Sequence, residues 1–125
     1  MSVTYSAPVI LESTPNANDS FIVVRDFSVT WQRSGKASLR FTVKKGLTTD
    51  LASIPRVFRA LIPQVGRHIQ PAITHDWCYK NRQPQLSRAE ADLLFLEGMA
   101  AVGVSWWRRR IMYLAVRLGG TGHWG

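Results

Sequence analysis

The chain has 125 residues, 46% of them hydrophobic and 19% charged. That length suits one domain rather than two, and the composition excludes a disordered tail or a fibrous repeat. Sixteen Lys and Arg against eight Asp and Glu give a net charge of +8, which points to an anionic partner such as a membrane surface, nucleic acid or an acidic protein.

From Met1 to Leu11 there is neither a basic leader nor a long apolar run, so the start does not read as a signal peptide. No apolar stretch reaches the roughly 18 residues of a transmembrane helix. Pro15 to Asp19 reads as a turn or loop. Phe21 to Val24 is a short β-prone run. From Phe27 to Gln32, Phe27, Val29 and Trp31 alternate with Ser28, Thr30 and Gln32, the period-2 pattern of a half-buried strand. Arg33 to Lys36 signals a turn around Gly35, and Leu39, Phe41 and Val43 alternate again, so the pair reads as an antiparallel hairpin.

Residues 47–70 form a junction with no sustained period. Within it, Asp50 and Ser53 are candidate caps for a short helix over Val57 to Leu61. Pro71 is placed to open a helix that runs to about Lys80. Ser87-Arg88-Ala89-Glu90 has the form of a capping box, and the helix it opens carries Ala91, Phe95, Met99 and Val102 on one face. Gly103 is its expected stop. A last helix spans about Ser105 to Leu118. Its face of Trp107, Ile111, Leu114 and Leu118 is expected to turn inward, with Arg108 and Arg109 turning to solvent. Residues 121–125 are a tail. The expected architecture is one α+β domain, an N-terminal antiparallel sheet packed on a C-terminal three-helix unit.

Chemistry concentrates around His75-Asp76-Trp77-Cys78-Tyr79 and Asp92. His75 and Tyr79 are four apart and share a helix face. Asp92 borders the apolar stripe of its own helix, and a buried carboxylate needs a partner. Arg88 and His75 are the two candidates. A His75–Asp92 pair would be an acid/base dyad, the carboxylate fixing the imidazole tautomer and leaving the second ring nitrogen to take a proton from water. The alternative is a His–Asp pair that only satisfies itself in the core. Asp76, with Asp50, is a candidate for holding a hard cation, calcium first. Zinc is the lesser alternative, since the spacing of His68, His75, His123 and Cys78 matches no zinc signature. Cys78 reads as a core residue. A triad of Ser53, His75 and Asp92 lacks the Gly-x-Ser-x-Gly setting.

The charge is concentrated late: after Gly103 come four arginines, Arg108, Arg109, Arg110 and Arg117, and no acidic residue. This basic, aromatic helix is the candidate contact for a membrane surface, DNA or an acidic subunit.

Taken together, Thr49 to Arg56, His75 to Tyr79 and Ser87 to Asp92, with Met99, Gly103-Val104, Met112-Tyr113 and Arg117-Leu118-Gly119, resemble the DUF1353 family. The resemblance implies a phage or prophage source, and with it a place in the host cytoplasm during infection or in the virion. His75-Asp76-Trp77-Cys78-Tyr79 also resembles the catalytic helix of secreted phospholipases A2. That resemblance implies His75 as base for water, Asp76 as calcium ligand, Asp92 as the group that orients His75, and Tyr79 as a supporting hydrogen-bond donor. The flanking cysteines and Gly-rich calcium loop of those enzymes are absent here. Two functions follow. One is a hydrolase acting on lipid ester or wall in the bacterial envelope. The other is a non-enzymatic tail or baseplate component whose basic helix binds neighbouring subunits or DNA.

Overall fold

The computed structural model describes residues 2–13, 21–49, 69–81 and 86–119. Six strands come first: β1 (Ser2–Tyr5), β2 (Leu11–Ser13), β3 (Phe21–Val23), β4 (Phe27–Gln32), β5 (Leu39–Val43) and β6 (Thr48–Thr49). Three helices follow: α1 (Ile69–Asn81), α2 (Arg88–Ala101) and α3 (Trp106–Gly119). The fold is α+β, with strands N-terminal and helices C-terminal, as the sequence pattern predicts.

The β4–β5 hairpin is antiparallel and turns through Gly35, whose φ of +70° suits a residue without a Cβ. Its register sets Phe27 opposite Val43, Val29 opposite Phe41 and Trp31 opposite Leu39. Phe27, Val29, Trp31 and Val43 are fully buried, so alternation in the sequence becomes one apolar face. β1 adds to the other edge of β4, antiparallel, with Val3 opposite Trp31 and Tyr5 opposite Val29. A second antiparallel sheet has the order β2–β3–β6. The segment after β5 is tied to this sheet by Gly46 N donating to Val23 O at 2.7 Å and Val23 N donating to Leu47 O at 2.9 Å, and Asp26 Oδ1 accepts from Lys45 N at 2.7 Å beside it.

α2 is the hub, packing on β1, α1 and α3. Its start is fixed by the expected capping box: Ser87 accepts from Glu90 N and the Glu90 side chain accepts from Ser87 N. The Glu90 carboxyl is held below its ordinary range, chiefly by that backbone hydrogen bond, and Arg33 of the hairpin lies 3.3 Å from it. Ala91, Leu94, Phe95 and Met99 are buried. Gly98 completes the contact face, because a Cβ there would run into the Tyr5 hydroxyl and lie 3.3 Å from the Pro71 Cβ. β1, α1 and α2 therefore meet at a backbone without a side chain. α2 stops at Gly103, which has φ +85°.

Two expectations are corrected. The first helix begins at Ile69, two residues before Pro71. More consequentially, α3 presents a different face to the core. Met112, Ala115 and Val116 are buried, whereas Trp107, Leu114 and Leu118 are 51%, 56% and 84% exposed. Apolar residues lie on both arcs of this helix, so periodicity alone does not choose between them. The inward arc has the smaller side chains and lets α3 sit close on α2. The proposed cap residues Asp50 and Ser53, the helix over 57–61 and the tail 121–125 lie outside the described residues.

Candidate functional site

The site is built where α1, α2 and α3 meet. One turn of α1 separates His75 from Tyr79, so both side chains leave the same face. The rings are tilted against each other with centroids 4.2 Å apart, and Phe95 of α2 lies 5.0 Å from the imidazole on another side. The capped start of α2 brings Asp92 into its second turn, at 0% exposure, opposite His75 at 1%.

Asp92 is satisfied from three directions. Its Oδ1 lies 2.6 Å from His75 Nε2 and accepts from the Tyr79 hydroxyl at 2.5 Å. Its Oδ2 accepts from Arg117 Nη1 at 2.8 Å. Burial by itself would raise the Asp92 carboxyl, but the donors from His75, Tyr79 and Arg117 outweigh it and hold the group below the usual carboxylate range. Conversely, burial first and the Asp92 carboxylate second push the Tyr79 phenol upward, and the ion pair with Asp92 pushes Arg117 upward. With Asp92 ionised, the network assigns the neutral imidazole's proton to Nε2. His75 Nδ1 then carries the lone pair. It is buried and has no hydrogen-bond partner among the described residues.

Of the two partners considered for Asp92, His75 makes the contact and Arg88 does not. Arg88 Nη2 instead donates to the carbonyls of Val116 at 3.2 Å and Arg117 at 2.5 Å. It thereby anchors the end of α3 and fixes where the Arg117 guanidinium reaches Asp92.

Arg117 was expected on the external binding surface; this is corrected, since its guanidinium is committed to Asp92. Arg109 is likewise half-buried rather than turned to solvent, and its Nη1 donates to the Val104 carbonyl at 3.0 Å. Arg108 and Arg110 are exposed, stacked on the indoles of Trp107 and Trp106 with guanidinium carbons 5.2 and 5.3 Å from the ring centroids.

The candidate cation ligand Asp76 has an internal partner. Lys80, one turn later, places Nζ 3.3 Å from Asp76 Oδ2 and donates to the Thr48 carbonyl of β6 at 2.7 Å. The Lys80 ammonium thus contacts both groups, yet Asp76 Oδ2 is buried and makes no hydrogen bond among the described residues. Asp50 lies outside the described residues. Among the described residues no group of three or more His, Cys, Asp or Glu side chains could hold a metal ion. Cys78 is buried, and its burial pushes the thiol up to about 12, so it is a protonated core group at neutral pH.

The inward role of Arg117 and the ammonium of Lys80 were not anticipated from the sequence. The i, i+4 spacing of Asp76 and Lys80 is the local signal for the second. For Arg117 the signal is indirect: a buried carboxylate has two oxygens, and one histidine serves only one.

Among the described residues no helix is long and apolar enough to cross a membrane. A family described as "Protein of unknown function (DUF1353)" matches residues 21–116 of the chain. No curated protein matches the chain, and no solved structure does.

Proposed function

The chain belongs to the DUF1353 family, and from that premise we propose that it is a hydrolase of the bacterial envelope, of phage or prophage origin, cleaving a lipid ester or a wall bond. The observation that carries the reading is the division of labour on His75: Nε2 faces Asp92, and Nδ1 has no partner among the described residues. In this reading Nδ1 accepts a proton from water as its oxygen attacks the carbonyl carbon. The same proton passes to the leaving group when the scissile bond breaks. Asp92, kept ionised by Tyr79 and Arg117, holds the imidazole's orientation and offsets the charge of the transient imidazolium. The spacing of His75, Asp76 and Tyr79, and the hydroxyl of Tyr79 on Asp92, agree with the resemblance to the phospholipase A2 catalytic helix. No step is routed through a metal; Asp76 has the Lys80 ammonium 3.3 Å from its Oδ2.

The test is release of fatty acid from phosphatidylglycerol vesicles and of soluble fragments from purified cell wall. His75→Gln and Asp92→Asn are compared with the wild type after circular dichroism confirms folding. The expected result is a loss of about 10²-fold or more in His75→Gln. Absence of both activities in the wild type, or full activity in a folded His75→Gln variant, would sink the reading.

One observation favours the second reading, a non-enzymatic tail or baseplate component. His75 is 1% exposed, and the network on Asp92 ties three helices together. Such a component is found in purified particles at fixed stoichiometry, and His75→Gln would then affect stability alone.

A further inference from the structure

α3 is packed chiefly on α2 through Met112, Ala115 and Val116, and among the described residues its outer side is exposed. Four large apolar residues lie there: Trp106, Trp107, Leu114 and Leu118, exposed by 62%, 51%, 56% and 84%. At 3.6 residues per turn they and Arg110 fall within an arc of about 120°, and from Trp106 to Leu118 the stripe is about 18 Å long. An exposed apolar patch of this kind marks a surface with a partner. Of the exposed cations, Arg110 lies within the arc and stacks on the Trp106 indole, whereas Arg108 lies outside it, at the rim beside Trp107, on whose indole it stacks. The helix carries no acidic residue.

We infer that this outer face of α3 docks on an anionic lipid bilayer, with the indoles and leucines in the headgroup boundary, Arg110 on lipid phosphates and Arg108 reaching them from the rim beside Trp107. Tryptophan suits the headgroup level because its ring is apolar and its N–H is polar. Arginine lays its stem along apolar surface while its charge stays among anionic groups. The complementarity is electrostatic as well as apolar: a chain of net charge +8 meets a negatively charged surface.

Other occupants fit less well. Nucleic acid calls for a row of free cations, yet two of the helix's four arginines are committed inside, Arg109 to the Val104 carbonyl and Arg117 to Asp92. Four exposed apolar side chains would also find no partner on a phosphate backbone. A second copy of this chain would bring Arg108 and Arg110 face to face with their like, under the repulsion of two +8 molecules.

This inference deepens the envelope reading by naming lipid as the partner. It also joins the docking face to the site, since the helix that meets the bilayer holds Asp92 through Arg117. Its test reads binding without turnover, so each idea fails separately.

The experiment is co-sedimentation of the full chain with sucrose-loaded vesicles of phosphatidylcholine alone or with 30% phosphatidylglycerol, at low and high salt. Binding is expected to the anionic vesicles, weakened about tenfold or more by high salt and by Arg108→Gln/Arg110→Gln. Trp106→Ala/Trp107→Ala should weaken it comparably, and His75→Gln should bind like the wild type. Should the tryptophan variant fail to fold, the arginine variant, whose two side chains are exposed, carries the test. Equal binding to neutral vesicles, no binding to either, or unchanged binding in the arginine variant would overturn the inference. So would binding to duplex DNA or an acidic protein that the arginine variant abolishes while vesicle binding is absent.

Discussion

Arg117 donates to Oδ2 of Asp92 at 2.8 Å, while His75 meets Oδ1 of the same carboxylate at 2.6 Å. The two cationic or proton-bearing groups come from different helices, α3 and α1, and the acid between them belongs to α2. A carboxylate with no solvent contact is thereby kept ionised by geometry rather than by water.

Removing either end of this arrangement should be measurable. Asp92→Ala leaves three donors facing a void and is expected to cost about 3–5 kcal/mol. Arg117→Met removes one charge-assisted hydrogen bond and is expected to cost about 1–3 kcal/mol, toward the low end because the side chain is 34% exposed. Urea unfolding of the single and double variants gives the coupling. If the two costs simply add, the contact is not energetic and the network is misread.

Acid stability should depend on the same residue. The Asp92 carboxyl is held below its unfolded value of about 3.9. Its contribution is therefore fully present above that pH and lost as pH falls through the lower folded value. Between about pH 5 and pH 2 the wild type should lose stability more steeply than Asp92→Asn. The two should converge at the acid end. A constant gap between the curves would place the acid sensitivity elsewhere.

Lys80 sets an expectation for calcium. Because its ammonium already lies against Asp76 and the Thr48 carbonyl, millimolar calcium should raise the melting temperature of Lys80→Met more than that of the wild type. Equal shifts in both would mean that calcium binds at another place. A shift in neither would remove Asp76 from consideration as a cation ligand.

Gly98 offers a packing test. A methyl group there meets the Tyr5 hydroxyl, so Gly98→Ala should destabilise by about 1–3 kcal/mol. Adding Tyr5→Phe removes the obstructing oxygen and should recover part of the loss. No recovery would mean that the Pro71 side of the contact, at 3.3 Å, sets the cost.

Much of this was readable in the residues, for physical reasons. Alternation from Phe27 to Val43 encodes one buried sheet face, and Ser87 with Glu90 encodes a helix start, because both depend on neighbours in sequence. The i, i+4 pair of His75 and Tyr79 likewise fixes a shared face, and their convergence on Asp92 follows once the two helices pack. The strands β1 and β2 gave little signal, since in β1 Val3 is the one buried residue and β2 is three residues long. The rotation of α3 was not readable either. Its apolar residues occupy two arcs, and the choice is made at a distance, where Arg88 grips the carbonyls of residues 116 and 117 and Asp92 takes Arg117.

The placement of β1 bears on how the chain assembles. Its residues, 2–5, pair with β4 residues 24 to 30 positions later and are covered by α2, which ends at Ala101. During synthesis the first strand thus leaves the ribosome long before the helix that shields it exists. Contacts of such sequence separation carry a large loop-closure cost and form slowly. Docking of α2 onto β1 is accordingly the step expected to limit the folding rate, and substitutions at Val3, Tyr5 or Gly98 would then register in refolding kinetics as well as in stability.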